Sequence, residues 1–153
     1  MNVVGPRRVS LLVALLALAV AGEPSAQVSV EEFLGFKHGL ATEHVAGQWR
    51  LLVENGFEQR QDMLEAIHAG ISMYFQRLRT SDGETFVALD DRMRVVSRSH
   101  PDPALTEFLP AFIEVVAGNE GHVVRIERPI DGYVVGTLVP GIEVWVLMVS
   151  RAD

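Results

Sequence analysis

The chain has no cysteine. That excludes disulfides, thiolate metal sites, a cysteine nucleophile and lipid attachment at a cysteine. Long apolar runs are missing too. Leu11–Ala21 is eleven residues, against the roughly 20 that a membrane-spanning helix needs. Positive charge is scarce, with 13 Lys and Arg against 20 Asp and Glu, a net charge of −7. Such a chain repels phosphate backbones, so nucleic acid is not an expected partner. It also has no polybasic segment for anionic lipid. No Gly-x-Ser-x-Gly elbow, dinucleotide fingerprint or Walker pattern occurs, and the residues call for no cofactor.

The N-terminus is the most informative part of what is present. Arg7 and Arg8 are the only charges before Glu23, and the apolar run follows them at once. A basic start, a short apolar middle and small residues after it are the layout of a secretory signal peptide. Residues 1–26 are therefore expected to be removed, with cleavage after Ala21 (Ala19-Val20-Ala21) or after Ala26 (Pro24-Ser25-Ala26). An uncleaved signal anchor is the alternative. Residues 27–153 then form a single domain with eleven basic and nineteen acidic side chains. Small eukaryotic secreted domains lean on disulfides. A cysteine-free exported domain suits a bacterial periplasm, or secretion from a bacterium, and no stable membrane span is expected after cleavage.

Hydrophobic period divides the mature chain. Residues 29–118 read as helical and 122–150 as strands, which predicts an α+β fold: about four or five N-terminal helices packed on a C-terminal three-stranded antiparallel meander. Ser29 and Glu32 form a capping box for the first helix. Thr42 is read as the cap of a second, which stops at Glu54–Gly56. Leu64, Ile67, Ile71, Tyr74 and Leu78 make the stripe of a third, with Arg77 and Arg79 at its end. Phe75 lies off that stripe.

The segment 84–97 is read as helix, from a second capping box (Ser81, Glu84) and the stepping of Phe86, Leu89, Met93 and Val96. Two strands joined at Asp90-Asp91 are the alternative. Asp102 and Pro103 begin the last helix, Pro110 is expected to kink or split it, and Gly118 closes it. Strands follow at His122–Arg128, Tyr133–Val139 and Ile142–Ser150. Their turns are Pro129–Gly132, with a left-handed glycine, and Pro140-Gly141, of type II. The last strand is apolar on both faces apart from Glu143. It is expected to be covered on both sides or to pair with a second subunit in a homodimer.

Residues with chemistry are few. Glu65-Ala66-Ile67-His68 places a carboxylate and an imidazole on one helix face, a metal-ligand spacing. The second such pair that those sites need is missing, so Glu65 and His68 are weak metal candidates and the expected metal site is none. On a single helix His38 and His44 would point to different sides, and both are read as exposed. Asp90 and Arg94 read as a surface i,i+4 ion pair. Gly118–His122 reads as a connection. Most of the large rings, Phe33, Phe36, Phe86, Phe112 and Trp145 among them, are expected in the core. A small domain with several two-sided apolar elements encloses a pocket or associates. The expectation is thus an exported, non-enzymatic module that binds a protein partner or a small apolar ligand. The alternative is an exported, metal-assisted enzyme using Glu65 and His68.

Overall fold

The computed structural model describes residues 27–56, 60–78 and 80–152. The expected signal peptide, residues 1–26, lies outside these, as do Phe57 and Arg79. Among these described residues, three helices and five strands follow in the order α1 (Val30–Glu54), α2 (Arg60–Arg77), β1 (Glu84–Leu89), β2 (Val95–Arg98), α3 (Pro103–Gly118), β3 (Val124–Ile126), β4 (Gly132–Val139) and β5 (Val144–Arg151). The class is α+β. The expectation of four or five helices on a three-stranded meander is wrong: the sheet has five strands, in the order β2-β1-β5-β4-β3, and every neighbouring pair is antiparallel.

Two misread segments account for the difference. Residues 84–97 contribute a hairpin, not a helix. Asp90 decides it: its Oδ1 accepts the amides of Arg92 and Arg94, both at 2.9 Å, and Met93 takes a left-handed φ of 59°. That is turn chemistry. All six residues of β1 are buried, so the strand gains apolar contacts on both faces that an amphipathic helix would leave half exposed. The second segment is α1, one continuous helix where two were expected. Thr42 does not cap. Its hydroxyl donates back to the His38 carbonyl at 2.9 Å, a bond made inside a helix. The Ser29–Glu32 capping box is present in full.

Helices cover both faces of the sheet. Leu34, Ala41 and Val45 of α1 and Ile67, Ile71 and Phe75 of α2 pack on Phe86 and Ala88 of β1 and Val144, Val146 and Met148 of β5. On the other face, Leu105, Phe112 and Val116 of α3 meet Val87, Leu89, Leu147 and Val149. The chain reaches this second face because α3 links β2, at one edge, to β3, at the other. β5 is thereby central, paired to β1 and β4. This accounts for its two apolar faces and leaves neither of its edges free for a second subunit. Gly136 on β4 lets α3 come close, since a Cβ there would lie 2.8 Å from Val116 Cβ. α3 starts at Asp102 and Pro103 as expected and runs unbroken through Pro110, which is exposed, so the carbonyl it leaves unpaired can face water.

Candidate functional site

Three places gather polar or apolar groups in unusual arrangements. The first holds the sequence candidates. Glu65 and His68 of α2 line a cleft of about 300 Å³ with Asp90, Asp91, Arg92 and Arg94 of the β1–β2 turn and Glu143 of the β4–β5 turn. Both turns carry a non-glycine residue at positive φ, Met93 and Glu143. Glu65 Oε1 accepts from Gln61 Nε2 at 3.1 Å. Arg94 is paired to Asp90 at 2.8 Å, the expected ion pair, although it closes a hairpin turn and does not lie along a helix. Burial raises the Asp90 pKa, but bonds from the Arg94 amide and guanidinium and from the Arg92 amide outweigh it, and the carboxyl sits below its usual range. Among the described residues no three His, Cys, Asp or Glu side chains are placed to hold one metal ion. The cleft is open and of mixed charge.

The second place is a part-buried hydroxyl–imidazole–carboxylate chain. Thr85 Oγ1 of β1 donates to Asp102 Oδ2 at 3.3 Å and lies 3.0 Å from His100 Nε2. Ser99 Oγ accepts the Phe86 amide at 3.0 Å and lies 3.2 Å from His100 Nδ1. Each hydroxyl has one proton. With Thr85 donating to Asp102, the neutral His100 ring must carry its proton on Nε2 and accept from Ser99 on Nδ1. Arg151 completes the chain with bonds of 2.6 and 2.8 Å to the two Asp102 oxygens. Asp102 is pushed up by burial and pulled down further by the Leu105 amide, Arg151 and Thr85, so its pKa lies below the usual value.

The order serine, histidine, aspartate resembles a catalytic set only on paper. Thr85 is buried and the Ser99 oxygen is tied to a backbone amide. The chain fastens the N-cap of α3 to β1 and to the end of β5. Thr85→Val should therefore lower stability by about 1–3 kcal/mol, by leaving His100 Nε2–H without its acceptor. Urea denaturation followed by circular dichroism checks this, and an unchanged midpoint would refute it.

The third place is the outer side of α1, and sequence reasoning missed it. Phe33, Phe36, Leu40 and Leu51 were expected in the core or left unassigned, yet all are more than half exposed. Together with Gly47 they recur at spacings of three, four, seven and four, a single stripe roughly 130° round the helix from the buried arc of Leu34, His38, Ala41 and Val45. The signal was present in the sequence: α1 carries two apolar arcs. It becomes visible only when Ser29–Glu54 is read as one helix.

Surface grooves flank the stripe. One, of about 520 Å³, runs past Glu43, Gly47, Arg50 and Leu51. The other, about 300 Å³, lies between α1 and α2 and is lined by His44, Gln48, Gly70, Met73, Tyr74 and Arg77. His44 stacks on Tyr74 with ring centroids 3.8 Å apart. Gln48 Nε2 lies 3.1 Å from His44 Nε2 and donates to it, which puts the ring proton on Nδ1. Gly70 makes room for Gln48, whose Oε1 is 2.8 Å from where a Cβ would stand and is buried without a partner. Arg50 reaches past Gly47 to Glu43 at 3.3 Å.

His38, expected to be exposed, is buried inside the fold. Its Nε2 donates to the Val146 carbonyl at 2.8 Å, and burial lowers its pKa below 6.5 despite that bond. Among the described residues no helix is long and apolar enough to cross a membrane. No family model matches the chain, and neither a curated protein nor a solved structure matches it.

Proposed function

We propose that this protein is an exported, non-enzymatic interaction module, acting in a bacterial periplasm or outside the cell, that receives a protein partner on the outer side of α1. The observation that carries the reading is the stripe itself. Phe33, Phe36, Leu40 and Leu51 are exposed at 52, 64, 55 and 60 %, one above another on a single helix face. Large apolar residues exposed along one helix face, not scattered over the surface, mark interaction surfaces. A protein partner fits better than a small apolar ligand, because the gap between α3 and the sheet, lined by residues such as Leu89, Ile113 and Trp145, has no space for even a water molecule. The export half of the reading rests on Arg7, Arg8 and the short apolar run.

A photo-crosslinking side chain at Phe36, with Glu114 on the exposed side of α3 as the control position, tests it in cells that export the protein. An adduct from position 36 and none from position 114 is expected. No adduct at position 36 would sink the interaction reading. Recovery of the intact, unprocessed chain from the cytosol would sink the export half.

A further inference from the structure

We infer that the partner received on the outer side of α1 is a second copy of this chain, docked antiparallel about a two-fold axis between Glu43 and His44; this rests on the reading of that face as an interaction surface. The stripe is complementary to itself in that arrangement. With the axis there, Leu40 falls opposite Gly47 of the second copy, Phe36 opposite Leu51, and Glu43 opposite His44. An isologous interface makes each contact twice.

Gly47 is the seat. Apart from the backbone of α1 itself, the nearest atom to where its Cβ would be is the end of Arg50, at 4.0 Å, which passes beside it, so the notch opens outward and a leucine can fill it. Helix axes packed in this way approach to about 8–10 Å. His44 is exposed, and the bond from Gln48 to its Nε2 leaves Nδ1 to donate. The carboxylate opposite is its natural acceptor. Met73, exposed on α2 and lining the same groove as His44, widens the apolar seam near the axis. Arg50 falls opposite Lys37, but each is already paired within its own chain, to Glu43 and to Glu84.

A parallel pairing is excluded by the same residues. It would set Glu43 against Glu43 and Arg50 against Arg50, and leave a gap where two Gly47 residues met. The antiparallel seam from Phe36 to Leu51 is about 23 Å long, at the small end for a specific interface. Dissociation constants on the order of 10 µM are therefore expected.

The chain, expressed from residue 1 and purified in the form that accumulates, is examined by sedimentation equilibrium up to roughly 100 µM, well above that constant. A dimer is expected. Leu40→Glu and Gly47→Leu should each return it to a monomer, and at a concentration too low for the dimer neither should melt below the unsubstituted chain, since Leu40 is exposed and a side chain at Gly47 meets only the end of Arg50. Because the chain lacks cysteine, the doubly substituted Leu40→Cys, Gly47→Cys protein should crosslink to a covalent dimer on mild oxidation, and Leu40→Cys alone should not. A dimer that survives both Leu40→Glu and Gly47→Leu would overturn the proposed face. A monomer at the highest concentration would overturn the second copy as occupant. If position 36 then crosslinks to a different protein, the interaction module stands without self-association; if it crosslinks to nothing, both readings fall.

Discussion

Gly132→Ala is expected to abolish the fold or to cost more than about 4 kcal/mol, beyond the usual range for a single substitution. Gly132 opens β4 and sits in three layers of contact at once. It pairs with Arg151 of β5 and with Ile126 of β3, and its carbonyl accepts from Arg125 Nη1 at 2.9 Å. A Cβ there would run into the Ser150 carbonyl oxygen and stand 3.0 Å from the Arg151 Cα. Both obstacles are backbone, so no rotamer change relieves them. The only relief is to pull β4 away from β5, which breaks the ladder and the neighbouring bond from the Ala152 amide to the Asp131 carbonyl, 2.9 Å long.

Two other glycines calibrate the claim. At Gly136 the obstacle is the Val116 side chain, part of a packed helix that can shift slightly, and Gly136→Ala should cost about 1–3 kcal/mol. At Gly47 the surroundings are open, and Gly47→Ala should stabilise the single chain by about 0.5–1 kcal/mol through helix propensity. Urea denaturation of the three variants measures the order. A Gly132→Ala protein with the midpoint of the unsubstituted chain would show that β4 and β5 do not approach so closely at this point.

The same residue shows where sequence patterns mislead. Gly132 was read as the left-handed corner of a turn, but φ is not what it supplies; it supplies the absence of a side chain against a strand 18 residues further on. Such a requirement is non-local and leaves no trace in neighbouring residues. Local signals did better. The turns at Asp131-Gly132 and Pro140-Gly141 separate three short apolar segments, and β3, β4 and β5 lie within two residues of where those segments place them.

Between residues 84 and 97 the local signals conflicted. Phe86, Leu89, Met93 and Val96 step like a helix because a strand buried on both faces puts an apolar residue at almost every position, and any period can then be found in it. Asp90, which can close a turn on its own side chain, was the better guide. Phe75 falls off the stripe read from the sequence for a related reason. The apolar arc of α2 is wide, and the half centred on Met63, Ile67, Ile71 and Phe75 became the buried one because α1 and the sheet meet it there. The outer stripe of α1 was illegible while Thr42 was taken for a boundary. The Glu65–His68 spacing was legible, and the structure sets it beside Asp91 and Glu143 in an open cleft.

Acid should weaken this fold before it reaches the carboxylates, and His38 is the reason. The imidazole is 3 % exposed, donates from Nε2 to the Val146 carbonyl, and has Thr42 Oγ1 at 3.4 Å from the same nitrogen. A carbonyl cannot donate, so the proton is on Nε2 and the neutral ring is the form that packs. Burial holds the folded-state pKa below 6.5, the value of the free side chain. The unfolded chain therefore binds a proton that the native state refuses.

Stability from this group is complete above pH 6.5. It declines as pH falls from there toward the lower folded-state value, at a slope approaching about 1.4 kcal/mol per pH unit. Asp90 and Asp102 act later, because carboxylates held below 3.8 release their contribution only as pH drops beneath that value. His38→Gln keeps a donor for the Val146 carbonyl but cannot take up a proton. It should cost roughly 1 kcal/mol at pH 8, from imperfect geometry, and be nearly flat between pH 6.5 and 5, where the unsubstituted protein falls. The two stability curves should converge or cross in that interval. Curves that stay parallel from pH 8 to 5 would mean that the ring is not held neutral, and that the contact between α1 and the central strand is looser than its burial indicates.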